Sequence, residues 1–511
     1  MSSTTLSPQA RRGFAVWNRQ LAHYPERAQR LRLLLLVVAI TIALYYALYV
    51  GGGVATLMLP QLHMPFSTFV YILAAGGLLG AFASLIAGLA DRFGRANLVI
   101  YGLLLVALIT AFWTPNVTSP LGFGLAFGAV SFVEGIALVA TPALIRDFSP
   151  QVGRATAMGF WSMGPVLGSL TVSAIITLTL PAYQTWQSQF YICGAICLVL
   201  FVLAFLFLRE LAPALRDQLM VSERDRVLIE LKAKGLDIEA SLRNPWRQML
   251  HLDVIASAFG VSLLLFFYYT AVAFGVIYLV TMFQFSVEQA NALGNWSWGA
   301  NAVALIVGGL LSDHFRVRKP FMLIGGIGSA VTIYLYLVQA GQHPGFTTLA
   351  IILCAQSIFG GLAYVSWMAS FTETVEARNP ALTATGLAVW GWLLRLVVTA
   401  CFIALPLVVK SADTLLAAPP YIAAYTQALA AQVKPPPELL AQMGAIQAAA
   451  TAAPGEWRIW YTVCIICVVV FIATIFVMRG RWSPALARGD EAAHDAEVAR
   501  ELASLQSRPQ A

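Results

Sequence analysis

Twelve runs of about 20 mostly apolar residues follow one another along the chain, at 33–59, 66–90, 97–114, 121–145, 154–180, 189–208, 254–281, 287–311, 320–338, 347–371, 382–409 and 458–478. A helix needs about 20 such residues to cross a bilayer's apolar core of about 30 Å. A chain built of such runs folds with lipid as its main solvent. Composition agrees. Of 511 residues, 59% are hydrophobic and 11% charged, with a mean hydropathy of +0.76, whereas soluble domains hold about 25% charged residues. These values exclude a soluble enzyme, a nucleic-acid binder and a disordered scaffold. The recurrence of the runs excludes a soluble domain on one anchor. The first run is too long for a removable signal peptide, and 32 residues precede it.

The positions of the basic residues say more than the formal charge of +7. With the N-terminus in the cytoplasm, 27 of the 31 Lys and Arg fall on the cytoplasmic side. Lys410, Lys434 and Arg458 fall opposite, and Arg395 lies within a span. Cationic loops resist translocation, so the sequence predicts a multi-pass protein of the cell inner (plasma) membrane with both termini cytoplasmic. The expected partners are the lipid bilayer and a small-molecule solute, with no nucleic acid, and the expected state is a monomer. The six cysteines lie within spans, so no external disulfide is expected. Cys464 and Cys467 read as small apolar packing residues. No His lies deep in a span, and no metal site is expected.

The chain repeats itself. Tyr45 and Tyr46 recur as Tyr268 and Tyr269, Gly52 as Gly275, and Asp91 as Asp313. Ser131 and Gly135 recur as Ser357 and Gly361, and Trp161 as Trp390, all at offsets that drift from 222 to 229 residues. Two six-helix units in the same orientation suit a transporter with its site between them. The expected fold class is therefore an all-α membrane protein of twelve transmembrane helices in two pseudo-symmetric six-helix bundles. The expected divisions are a cytoplasmic segment 1–32, a bundle 33–208, a cytoplasmic linker 209–253 and a second bundle 254–478, with a cytoplasmic tail 479–511. In the linker, Ser222 to Asp225 has a capping-box-like spacing. Residues 411–456 form an external insertion, broken at Pro435, Pro436 and Pro437 and read as two short helical pieces.

The segment from Ala87 through Gly88, Leu89, Ala90, Asp91, Arg92, Phe93 and Gly94 to Arg95 resembles the loop signature Gly-x-Leu-Ala-Asp-Arg-x-Gly-Arg of the major facilitator superfamily. Its copy at 309–319 keeps Gly309, Leu311 and Asp313 and has Arg316 where the second glycine is expected. Gly164, Pro165 and Gly168 are similar to that family's glycine-proline motif. Where many proton-coupled members show Arg-x-x-Gln-Gly, this chain has Ser131, Phe132, Val133, Glu134 and Gly135. The resemblance implies secondary transport by alternating access, with spans 1, 4, 7 and 10 lining the cavity and spans 2, 5, 8 and 11 at the seam. It also implies gating contacts. Asp91 would cap the start of span 11 near Ala381, and by symmetry Asp313 would face Arg154, with Arg92, Gly94, Arg95, Arg316 and Arg318 in the same loops. Solvation of those loops is the plainer alternative.

Two charges stand near mid-depth, Glu134 in span 4 and Arg395 in span 11. Each costs about 2.5–3.5 kcal/mol at a helix centre on insertion scales, so each needs a partner or water. Both are candidates for solute or proton binding, with a fixed structural ion pair as the alternative. Tyr45, Tyr46, Tyr268, Tyr269, Asn295, Gln356 and Trp390 complete the candidate set. The residues suggest three readings: symport of an organic anion with a proton, with Arg395 on the carboxylate and Glu134 on the proton; efflux of amphipathic compounds by a drug/proton antiporter; or a membrane enzyme. No nucleophile–base pair or ligand cluster supports the enzyme. No cofactor is expected beyond a proton gradient.

Overall fold

The computed structural model describes residues 19–21, 23–85, 94–149, 159–212, 215, 249–378, 383–478, 480, 482–485 and 489. Among them are twelve long helices: α1 Arg27–Gly53, α2 Phe66–Leu85, α3 Arg95–Leu108, α4 Pro120–Phe148, α5 Gly164–Tyr183, α6 Trp186–Phe207, α7 Leu252–Phe283, α8 Val287–Phe315, α9 Lys319–Val338, α10 Phe346–Arg378, α11 Thr383–Val408 and α12 Pro437–Val477. Helices are what lipid demands, since each satisfies its backbone polar groups within its own segment. Local signals set several ends. Ser119 accepts from the Gly122 N–H at 3.2 Å to start α4, with Pro120 in the first turn. Ser286 and Gln289 form a reciprocal capping box at α8. The linker segment from Ser222 to Asp225 lies outside the described residues.

Eleven described helices combine the length and apolarity needed to cross a membrane. The exception is α8, which carries Asn291, Asn295 and Asn301. It buries Asn291 and Asn301 against protein, and so needs less apolar surface. Large apolar side chains such as Leu121, Leu178 and Leu252 instead point outward, where a soluble protein would place charge.

The neighbour map repeats. In the first half α1 packs on α4, α5 and α6, α2 on α4, and α3 on α4 and α6. Adding six to each number gives the second half: α7 on α10, α11 and α12, α8 on α10, and α9 on α10 and α12. Between the halves α5 meets α8, α2 meets α11, and α1 meets α7. On the first bundle's side of this seam, Gly52 lets α1 touch α7. A Cβ there would stand 2.9 Å from the Val272 carbonyl oxygen.

The insertion between α11 and α12 corrects the sequence-based expectation. Ala412–Leu416 and Ala418–Ala430 are separate helices, but the Ala-rich stretch after Pro436 is continuous with α12. Pro437 sits in the first turn, where a missing N–H costs nothing. At 41 residues α12 is about 60 Å long, roughly twice the thickness of a bilayer core. Its first half therefore projects beyond the membrane, on the face where α1 ends and α2 begins.

Candidate functional site

A cavity of about 260 Å³ lies between the bundles at mid-depth. The chain fills its wall with rings. Tyr45 and Tyr49 come from α1, Trp161 precedes α5, and Phe267, Tyr268 and Tyr269 lie on α7. Trp298 is on α8, Tyr336 on α9, Tyr364 on α10 and Trp390 on α11. Polar groups are fewer and neutral: Ser169 and Ser173 on α5, Asn291, Ser297 and Asn301 on α8, and Gln356 and Ser357 on α10. No Asp, Glu, Lys, Arg or His lines it among the described residues. The rings pack on one another, with Tyr268 at 5.2 Å from Tyr269 and 5.4 Å from Trp298, and Tyr45 at 5.7 Å from Tyr49.

The glycine-proline motif positions the first of these rings. A Cβ at Gly164 would lie 2.8 Å from Thr41 Cγ2, and one at Gly168 would lie 2.5 Å from Tyr45 Cβ. Their absence lets α5 press α1 so that Tyr45 is driven into the cavity, while Pro165 itself lines the wall. On the opposite wall, Gln356 is held by Ser329 and Thr332 of α9, with oxygen contacts of 3.0 and 2.6 Å. Asn301 donates to the Ser357 carbonyl at 2.9 Å. The Trp390 indole N–H is buried with no hydrogen-bond partner among the described residues, and the Tyr268 hydroxyl lies beside Ser169 and Tyr49.

Not every sequence candidate reaches the cavity. Tyr46 is fully buried and turned toward Cys193 and Cys197 of α6, one helical step away from Tyr45. Asn295 donates to Thr177 of α5 at 3.2 Å in the seam. Helix α4, expected to line the cavity, contributes nothing to its wall among the described residues. Glu134 on α4 is 3% exposed, with one carboxyl oxygen buried and without a hydrogen-bond partner among the described residues. Arg395 is half-buried on α11. The two feel each other's charge without forming an ion pair within 4 Å. Glu134 also acts on Tyr45 and Tyr49, and Arg395 on Tyr269. The charges therefore stand behind the tyrosine wall rather than in it. Sequence reasoning missed Asn291, Ser169 and Tyr364. The stripe Asn291, Gly294, Trp298, Asn301 and Leu305 follows a helix face and could have placed Asn291 on it.

Contacts bridge the two bundles on the face where α1 ends and α2 begins. The Asn291 amide of α8 donates to the Gly53 carbonyl of α1 at 3.0 Å, and Phe66 of α2 stacks edge-on against Phe274 of α7 at 5.7 Å. On the other face, Asp91, Arg92, Arg154 and Ala381 lie outside the described residues. What is described there is a repeated ion pair. Arg95 Nη1 meets the Asp147 carboxylate at 2.8 and 2.9 Å, tying α3 to α4. Arg318 Nη2 meets Glu373 Oε1 at 3.0 Å, tying the start of α9 to α10. Asp313 pairs with Arg318 at 2.6 Å, inside its own bundle. Glu210, which the sequence did not flag, accepts from the Arg95 N–H at 2.7 Å and caps α3. Gly94, at φ +89°, leaves the room this carboxylate needs, and Arg316 takes the equivalent left-handed turn at φ +57°.

These pairs hold helices within bundles, so their loss is expected to register as stability. Asp147→Asn breaks a two-pronged contact whose carboxylate is 10% exposed, whereas Glu373 is 54% exposed. The expected costs are about 2 kcal/mol for the first and under about 1 kcal/mol for Glu373→Gln. Melting temperatures of the purified variants check this order, and an equal or reversed loss contradicts it.

Two repeated bundles around a mid-depth cavity, bridged at one end, define the architecture of a secondary transporter. Residues 34–294, just over half of the chain, match the profile described as Major Facilitator Superfamily, and the chain belongs to that family. It is a membrane transporter and not an enzyme. Among curated proteins it is 34% identical over 154 residues to the multidrug resistance protein MdtL of Shewanella oneidensis. That match covers 29% of this chain and 36% of the relative's length. It is also 23% identical over 377 residues to the glycerol-3-phosphate transporter of Bacillus subtilis, covering 70% of this chain and 82% of that one. Among solved structures, a bacterial homolog of the human lysosomal transporter Spinster, inward-facing and unoccupied, superposes with a TM-score of 0.68 at 17% identity. It covers 90% of this chain and all of that one. A D-xylose–proton symporter gives 0.54 at 13% identity, over 73% of this chain and 95% of that one. Both likenesses concern the fold.

Proposed function

We infer that the chain moves a small amphipathic organic solute across the cytoplasmic membrane by alternating access, with Glu134 as the proton site and both termini in the cytoplasm. The observation behind this reading is the wall itself: ten aromatic side chains, neutral amides and hydroxyls, and no charged group among the described residues. Such a wall binds a ring or alkyl body by burial and orients it by a few hydrogen bonds. Glu134 and Arg395 behind the tyrosines supply a proton-binding group that the solute need not touch.

A second reading keeps a specific observation. Arg395 makes no hydrogen bond or ion pair with a described residue, and its charge reaches Tyr269 on the wall. A rotation of that guanidinium past Tyr269 would present it to an organic anion, giving anion/proton symport. Counterflow into proteoliposomes separates the two. A panel of neutral and cationic amphipathic compounds and small carboxylates or phosphate esters is offered with and without a proton gradient. The first reading expects exchange of the amphipathic compounds. Exchange confined to anions, and lost in Arg395→Ala, would replace it with the second.

A further inference from the structure

The insertion after α11 belongs to the second bundle, yet it touches the first. Asp413, in the short helix Ala412–Leu416, accepts a hydrogen bond from the backbone N–H of Phe66, the first residue of α2. The opening N–H groups of a helix have no partner within it and carry the positive end of its dipole. Asp413 supplies both an acceptor and a negative charge there. The segment is seated, not draped. Ala412 is 1% exposed, Ser411 5% and Leu416 7%, and the short helix also packs on Ala55–Gln61 and on α7. On its own side it is moored firmly. Glu456 of α12 accepts from the N–H groups of Lys410 and Ser411 at 3.0 and 2.9 Å and from the Ser411 hydroxyl at 2.6 Å. Three bonds therefore hold the segment to its own bundle and one holds it to the other. When the bundles part on this face, the Asp413–Phe66 bond is the one of these four that breaks. Burial pushes the Asp413 carboxyl up from its ordinary value, and the Phe66 N–H draws it partly back.

We propose that residues 410–416, braced by Glu456, form a latch that holds the two bundles together on the face opposite the termini by capping α2 with Asp413. The latch stabilises the state closed on that face and is released once in each transport cycle. This gives the insertion a role in setting the conformational balance, independent of which solute the cavity takes.

The test reads access to the cavity. Gly275 lines it on α7, and a Cβ there meets only Ala271, at 4.0 Å. Full-length protein carrying Gly275→Cys is reconstituted, and a membrane-impermeant maleimide is added from the latch side. Protein without Gly275→Cys measures the background of the six native cysteines. Asp413→Ala is expected to raise the labelling rate about tenfold, the effect of losing a helix cap on a two-state balance. Asp413→Asn keeps an acceptor for the Phe66 N–H and is expected to stay within about twofold of the parent, since Asn caps nearly as well as Asp. Glu456→Ala unmoors the segment and is expected to follow Asp413→Ala. Labelling of Asp413→Ala at the parental rate overturns the latch. Equal acceleration in Asp413→Ala and Asp413→Asn overturns it as well, because the cap would then not be what the substitution removes.

Discussion

Replacing Glu134 with Gln is expected to leave solute exchange intact and to abolish uphill accumulation driven by a proton gradient. A gradient of about two pH units stores about 2.7 kcal/mol per proton, enough to sustain roughly a hundredfold concentration ratio. A one-proton carrier that loses its proton site should fall from that ratio to about one. The geometry singles out Glu134 because it is a carboxyl group 3% exposed, with an oxygen that no hydrogen bond from a described residue satisfies and a cation near it but not on it. The surroundings of this carboxyl group change when the bundles move, since Glu134 and Arg395 sit on opposite ones.

The companion substitutions separate coupling from structure. Arg395→Lys keeps the charge and loses the fork, and Arg395→Ala loses both. If the two residues work the proton step, Arg395→Lys retains partial accumulation and Arg395→Ala none, while both fold. If they are only a structural pair, either single change folds poorly and joint neutralisation restores stability. Purified Glu134→Gln that accumulates solute at the wild-type level would remove Glu134 from the coupling.

The fold was legible because lipid imposes a length on every apolar run and because basic residues mark one side. The repeat was legible for the same reason that the neighbour map repeats, since Ser131/Gly135 and Ser357/Gly361 occupy equivalent helix crossings. Direction was not legible. A helix turns about 100° per residue, so Tyr45 faces the cavity while Tyr46 faces α6, and nothing in the pair of letters says which is which. Asn295 fails by the same step beside Gly294. Depth and the family resemblance together put Glu134 in the cavity, whereas α4 lies one layer back, behind Tyr45 and Tyr49. The insertion was misread at its second half because Glu456 and Arg458 look like the polar edge of a span. In a helix that continues beyond the membrane they are ordinary positions, and Glu456 braces Ser411.

The repeat is not a symmetry of energies, and Gly135 shows it. Gly135→Ala is expected to destabilise the protein by about 3 kcal/mol, the upper end for forcing a methyl group into a packed interior. Gly361→Ala, at the equivalent place, is expected to cost under about 1 kcal/mol, as a change that neighbours can absorb. The difference lies in what the new Cβ meets. At Gly135 it would stand 2.3 Å from the Gly80 carbonyl oxygen and 2.9 Å from Gly80 Cα, backbone against backbone, so α2 and α4 must separate. At Gly361 its first neighbour is the Ala304 methyl at 3.2 Å, with Asn301 at 3.5 Å, and a shift of a few tenths of an ångström relieves it. Close crossings of this kind replace the hydrophobic effect as the source of helix association in lipid. Prising one apart therefore removes contacts that water cannot restore. Gly135 also sits one residue from Glu134, so the same displacement moves the carboxyl group away from Arg395. Gly135→Ala is thus expected to lower the melting temperature and, in the fraction that folds, to weaken coupling more than exchange. Gly361→Ala should do neither. Equal melting temperatures for the two variants would mean that the α2–α4 crossing relaxes as freely as the α8–α10 crossing.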